Sequence, residues 1–336
     1  MGTMESSFKT IEEVAASTGV SITTVRLVLN GQAERYRISV ATRKRVEAYV
    51  EEHEVLINHA ARSLKLQRSD TIGLVVPHLE NAFFARLMSH LEGCCREHGL
   101  MLLTASSHED PGQETHAIRS LLARGVDGMV IAPCQTPARA LFAPYLKRVG
   151  VILVDRAYAG APFPLVASNH REGARQLTQR LREQSGDDLL FLCAKPRLPS
   201  IRERIQGFQD AFGGVESDWR SRIRIGGADL PAMGAGLVRA LLQERGHLPR
   251  AMMCSSLMVL EGALEQLKTE YGQIPQDLLI GNFDTEPMLG LIPNRVVSVI
   301  QDEAGLARTA FARLTAQSGA ESTRVTRDII PCHFSA

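Results

Sequence analysis

The chain has 336 residues, 44% of them hydrophobic and 22% charged, with a formal net charge of +1. At roughly 100–200 residues per domain this makes two or three domains. The composition excludes wholesale disorder, a collagen-like repeat and a small disulfide scaffold, and near-neutrality leaves no global basic field, so any contact with nucleic acid must rest on a local patch.

Cys94, Cys95, Cys134, Cys193, Cys254 and Cys332 show no Cys-x-x-Cys spacing. They read as small buried hydrophobes in a reducing compartment. The opening MGTMESSFKTIEEV lacks an apolar core segment, so no export signal is expected. No run of about 18 apolar residues is present, so no membrane span is expected. The expected setting is the cytoplasm.

In chain order, Ile11, Val14 and Ala15 make one apolar helical stripe. Gly19 permits a tight left-handed turn, and Ser21 is a good N-cap for a second helix with Val25, Val28 and Leu29 on its buried face. Helix, glycine turn and capped helix make a helix-turn-helix. Ile22, Thr23, Thr24 and Arg26 lie at the exposed start of the second helix. Threonine can hydrogen-bond base edges, an apolar residue can meet a thymine methyl, and arginine can reach phosphate or guanine. A third helix follows, with Ser39 as cap, Val40, Val46 and Val50 as its packing stripe, and Arg43, Lys44 and Arg45 exposed. Between residues 14 and 50, six Lys or Arg stand against two acids, a surface suited to phosphate contacts. A plain three-helix bundle with a solvated charged face has the same pattern. Residues 54–69 form a transition in which Arg62, Lys65 and Arg68 supply positive charge; a solvated linker helix is the plain reading of it.

From Thr71 onward apolar runs alternate with helical stretches. Strands are predicted at 71–76, 100–105, 128–132, 151–154, 189–193, 251–254, 278–283 and 296–300, and helices at 83–95, 113–124, 172–183 and 259–271, among others. This rhythm predicts parallel sheets covered by helices on both faces, and two doubly wound subdomains fit better than one large sheet. No Gly-x-Gly-x-x-Gly follows a strand and no Walker loop occurs, so a dinucleotide or nucleotide hydrolase lacks its phosphate cradle.

Residues 10–31 resemble the headpiece of the LacI/GalR family of bacterial transcription regulators, and residues 30–39 resemble its fructose-repressor branch. The resemblance implies an N-terminal three-helix helix-turn-helix headpiece over 8–56, a hinge helix and linker over 57–70, and an effector-binding core over 71–336. That core is α/β, two doubly wound parallel-sheet subdomains of periplasmic-binding-protein type. The N-subdomain spans about 71–168 and 300–325, and the C-subdomain about 169–299 and 326–336. Ile22, Thr23 and Thr24 match the major-groove positions, with Thr10, Ser21, Arg26, Asn30 and Arg37 completing the headpiece contacts. Residues 58–66 resemble the hinge helix: Leu64 matches the residue that wedges into the minor groove and Ala61 a small residue for close helix approach, with Asn58 and Lys65 beside them. Arg26 stands where a serine is common, and Ile57 where a proline is usual.

For the core, the resemblance implies that Phe83 and Phe84 line an effector cleft with Asp155, Arg156, Ser200, Arg202, Arg204, Asp284 and Gln301. Core packing is an equal reading for one of the two phenylalanines. Ser255-Ser256-Leu257 lacks the carboxylate that many members carry there. With Lys195, Arg156, Arg202 and Arg204 nearby, the favoured effector is anionic: a sugar phosphate such as fructose 1-phosphate, or a sugar acid such as 2-ketogluconate. Surface charges or salt-bridge partners are the alternative for these basic residues. The partners implied are double-stranded operator DNA with a near-palindromic site, the sugar effector, and a second copy of the chain. A dimer is favoured, with pairing of dimers into a tetramer left open, for no leucine heptads precede Ala336. No cofactor, metal, catalytic residue or membrane partner is expected. A corepressor-dependent regulator is the alternative within the family. A sugar-metabolising enzyme fused to a DNA-binding domain would draw on Asp155, Asp284, His78, His90 or His170, but shows no nucleophile–base pair. A periplasmic sugar-binding protein has a similar core, and the headpiece argues against it.

Overall fold

A computed structural model describes residues 10–29, 32–53, 68–146, 148–213, 218–316 and 325–335. The chain forms two compact units, residues 1–69 and 70–336.

In the first unit, α1 (Ile11–Thr18), α2 (Ile22–Leu29) and α3 (Val40–Glu52) surround a small core of Val14, Ala15, Val25, Val28, Ala33 and Val46. Thr10 and Glu13 cap α1 reciprocally: Glu13 N donates to Thr10 Oγ1 at 3.3 Å, and Thr10 N to Glu13 Oε2 at 2.7 Å. Two otherwise orphaned backbone donors are thereby satisfied. Gly19, at φ 64°, ends α1 in the left-handed region, where a Cβ is disfavoured. Val40 departs from the expected stripe and is 69% exposed, because it opens α3 on the solvent side while Val46 alone is fully buried there.

The second unit contains two six-stranded sheets of the same design. In chain order its elements are β1 (Thr71–Val76), α4 (Ala82–Glu97), β2 (Met101–Ser106), α5 (Pro111–Ala123), β3 (Gly128–Ile131), α6 (Arg139–Phe142), β4 (Gly150–Val154), β5 (Leu165–Ser168), α7 (His170–Ser185), β6 (Leu189–Cys193), α8 (Pro199–Ala211), β7 (Ile223–Ile225), α9 (Pro231–Arg245), β8 (Ala251–Cys254), α10 (Leu257–Tyr271), β9 (Leu279–Phe283), β10 (Val296–Ile300), α11 (Glu303–Ala316), β11 (Arg327–Ile330) and β12 (His333–Phe334). The strand orders are β11-β5-β4-β3-β1-β2 and β12-β10-β9-β8-β6-β7. Every pairing is parallel except β10 with β12. The central strands are buried on both faces, as parallel strands under helices must be.

The chain crosses between the sheets at residue 169, at residues 301–302 and at residues 331–332. Cys332 N donates to Asn169 Oδ1 at 2.7 Å and so ties the first crossover to the third. The third crossover falls later than the sequence suggested. Residues 326–336 were expected to lie wholly in the C-terminal lobe, but β11 pairs with β5 in the N-terminal sheet and only β12 joins the other. A four-residue strand next to a turn carries too little pattern to declare its sheet. Two helix pairs pack by direct backbone contact: a Cβ on Gly207 of α8 would collide with the Arg171 carbonyl of α7, and one on Gly262 of α10 with the Pro231 carbonyl of α9.

Candidate functional site

On the headpiece, the start of α2 is open to solvent. Ser21 Oγ accepts from Thr24 N at 3.0 Å and shares a hydrogen bond with Thr24 Oγ1 at 2.9 Å, so the cap and one hydroxyl are held together. Ile22, Thr23 and Arg26 are exposed, and Thr24 is half-buried. Arg26 reaches Glu12 of α1 at 3.9 Å, with both side chains more than half exposed, a contact that solvent makes weak. Arg37 is exposed at φ 55°. Thr10 is used as the α1 cap. Asn30 and the hinge positions Asn58, Ala61, Leu64 and Lys65 lie outside the described residues.

In the core, the carboxyl ends of both sheets face one cleft, the place where open α/β sheets bind ligands. Its walls are Phe83 and Phe84 after β1, Glu109 after β2, Asp155 and Arg156 after β4, Ser200 and Arg204 after β6, Asp229 after β7, Ser256 after β8, Asp284 after β9 and Gln301 after β10, with other residues of the same loops. The free volume between them is about 40 Å³, against roughly 300–1,000 Å³ for small-molecule pockets. The lobes are closed on each other.

Asp155 and Asp284 occupy equivalent strand ends and share a left-handed backbone, φ 67° and 66°. Such strain in a non-glycine residue, on the order of 1–2 kcal/mol, persists only where the surroundings hold it. Asp155 Oδ1 is 3.4 Å from His170 Nε2, and its Oδ2 is 3.9 Å from Arg156. Burial pushes this carboxyl up, yet the His170 hydrogen bond and the charges of His170, Arg156 and Arg204 outweigh it, and the net direction is down. Asp284 accepts the Gln301 amide on both oxygens, at 3.1 and 3.0 Å. Burial dominates there and its carboxyl is pushed up to about 6, with Arg204 opposing and Glu303 adding to the rise.

The two arginines are buried and largely engaged. Arg156 donates to Glu109 at 2.8 Å and to the Pro133 carbonyl at 3.0 Å. Arg204 donates to the Ser255 carbonyl, meets His170 Nδ1 at 3.3 Å and lies over the Phe283 ring, 3.9 Å from its centroid. Its Nε, buried, has no hydrogen-bond partner among the described residues. Phe83 and Phe84 meet edge to face with centroids 5.0 Å apart. Both line the cleft and belong to the core cluster under α4. Nearby, Arg86 of α4 donates to Glu286 at 2.7 Å and to Glu303 at 2.8 Å, which joins the N-terminal lobe to the loop after β9 and to α11.

Of the expected cleft residues, Arg202 is the exception. It is exposed and outside the cleft, because two residues along a helix turn it about 200° from Arg204. Lys195 is also less available than expected, lying 3.8 Å from Glu109. Glu109 and Asp229 escaped the sequence reading, and His170 entered it only as a histidine of the alternative enzyme, not as a partner of Asp155 in the cleft. Glu109 lies just past a predicted strand, so inspecting each strand's carboxyl end would have found it. Asp229 and His170 follow β7 and β5, which are short and were not predicted. Among the described residues no His, Cys, Asp or Glu group is arranged to hold a metal, and no helix is long and apolar enough to cross a membrane.

A helix-turn-helix with an exposed second helix, followed by two lobes closing on a polar cleft, defines a ligand-responsive DNA-binding regulator. Residues 10–56 match the model for bacterial regulatory proteins of the lacI family, and residues 69–335 the model for periplasmic binding proteins and the sugar binding domain of the LacI family. The chain belongs to the LacI family and is a DNA-binding transcriptional regulator. It is 33% identical to the sucrose operon repressor of Klebsiella pneumoniae over 89% of each chain. It is 32% identical to the fructose operon regulatory protein of Vibrio cholerae over 96% of this chain and 98% of that one. The Cra transcriptional dual regulator of Pseudomonas putida, solved with fructose 1-phosphate, superposes with a TM-score of 0.71 at 28% identity, covering 79% of this chain and 98% of that one.

Proposed function

We propose that this protein represses a carbohydrate-metabolism operon, as a cytoplasmic homodimer on a near-palindromic operator, and that a small anionic sugar releases it. It performs no catalysis of its own. The observation that carries this reading is the convergence on one cleft of Phe83, Phe84, four carboxylates and the two buried arginines. Carboxylates accept sugar hydroxyls, ring faces cover the apolar side of a sugar, and Arg204, a buried arginine lining the cleft, can pair with an anionic group. The relatives named for sucrose and fructose operons, and the fructose 1-phosphate held by the Pseudomonas protein, support a sugar and a phosphorylated one. Ile22, Thr23, Thr24 and Arg26 read the major groove, with Ser21, Thr10, Asn30 and Arg37 positioning the headpiece. Asn58, Ala61, Leu64 and Lys65 engage the minor groove. The lobes part to admit the sugar and close on it, which changes the spacing of the paired headpieces.

A neutral sugar is the second reading. It is favoured by the pairing of Arg156 with Glu109 and of Lys195 with the same carboxylate, which leaves little free positive charge.

Calorimetric titration with fructose, fructose 1-phosphate and 2-ketogluconate, beside a gel shift on promoter fragments of the source bacterium, tests both. Binding of an anionic sugar that also displaces the protein from a palindromic fragment is the expected result. Binding of fructose alone removes the anionic reading. Absence of any shifted fragment at moderate ionic strength removes the operator reading.

A further inference from the structure

The two sheets share one strand order, so their loops correspond in pairs. Asp155 after β4 is matched by Asp284 after β9. Glu109 after β2 is matched by Asp229 after β7, at the opposite edges. The four carboxylates are held differently. Those of the N-terminal lobe face cations, Asp155 by Arg156 and His170 and Glu109 by Arg156 and Lys195. Those of the C-terminal lobe are held by neutral donors. Asp284 has both oxygens occupied by the Gln301 amide. Asp229 accepts the Ser256 hydroxyl on Oδ1, at 2.5 Å, and no described residue gives its Oδ2 a hydrogen bond or an ion pair. The side chain is only half-buried and lines the cleft. Ser256 is itself fixed as the N-cap of α10, accepting from Val259 N at 3.3 Å. The turn after β8 therefore brings no carboxylate to the cleft, and its Ser256 hydroxyl is spent on aiming Asp229.

We infer that Asp229 is a specificity-determining residue: Ser256 holds Oδ1, and Oδ2 accepts one particular hydroxyl of the effector. The inference rests on the sugar-effector reading above and names the atom that selects among sugars. A site built to accept a hydroxyl rejects the analogue lacking it, because the desolvated acceptor is then left without a partner.

Calorimetric titration of the full-length protein tests this, with whichever of fructose, fructose 1-phosphate and 2-ketogluconate binds most tightly and with its single-deoxy analogues. In the wild type one analogue binds about 10- to 100-fold more weakly than its parent. In Asp229→Asn the parent weakens to about that level, while the same analogue binds alike in both proteins. Ser256→Ala keeps the carboxylate but frees it, and retains part of the discrimination. An equal loss for the parent and every analogue in Asp229→Asn marks a merely structural role and overturns the assignment, as does unchanged parent affinity. Discrimination lost in Ser256→Ala but kept in Asp229→Asn makes Ser256 the reader and also overturns it. If none of the three sugars binds the wild type, the effector reading itself falls and takes the inference with it.

Discussion

Asp284 is the residue whose environment departs most usefully from water. An aspartate in an unfolded chain titrates near about 4, and in the closed cleft burial pushes this one up to about 6. A carboxyl raised in this way binds its proton more tightly folded than unfolded. It therefore stabilises the fold at low pH, and that contribution is lost as the pH climbs from about 4 to about 6. Replacing it with asparagine, which tolerates the left-handed backbone, removes the titration. Melting curves across this range are expected to fall for the wild type relative to Asp284→Asn; parallel profiles would remove Asp284 as the cause. At the same scale, the candidate cleft was read from the sequence at Asp155, Arg156, Ser200, Arg204, Asp284 and Gln301, all of which line it. Arg202 was misplaced because a motif lists neighbours along the chain, whereas a helix turns alternate neighbours to different faces.

At the scale of elements, long periodic segments were legible. The strands at 71–76, 189–193 and 296–300 lie as predicted, because parallel strands covered by helices are largely apolar along their length. β5, β7, β11 and β12 are two to four residues long, too short for any period to show. The contact between α7 and α8 is a further property of elements rather than of residues. Gly207 brings the two helices together until backbone meets backbone, and a methyl there would strike the Arg171 carbonyl, Ala174 and the Arg175 amide. Gly207→Ala is expected to lower stability by roughly 1–3 kcal/mol or more, as overpacking against unyielding backbone does. A denaturant midpoint equal to that of the wild type would show that the helices part without penalty.

For the whole molecule, the proposed mechanism is a linkage between two ligands. If a sugar weakens operator binding by some factor, operator DNA must weaken sugar binding by the same factor. Arg204 belongs to the sugar end of this linkage: it is buried in the cleft, joined to His170 at the first crossover and stacked on Phe283. Arg204→Ala is expected to blunt sugar-driven release by tenfold or so, the scale of one hydrogen bond to a charged group. Anisotropy of a labelled operator titrated with sugar measures it, and an unshifted release curve would take the residue out of the relay.

Periodicity, caps and short motifs settled the helix-turn-helix, the alternating α/β core and most of the cleft's residue types. These features are local, carried by spacings of a few residues that the backbone converts directly into faces and turns. The sheet to which the final strands belong, the pairing of Arg156 and Lys195 with the one carboxylate of Glu109, and the presence of Asp229 beside Ser256 emerged from the folded chain. Each depends on segments brought together across 27 to 163 positions, and charge balance in a buried cleft is a sum over such neighbours that no single stretch of chain contains.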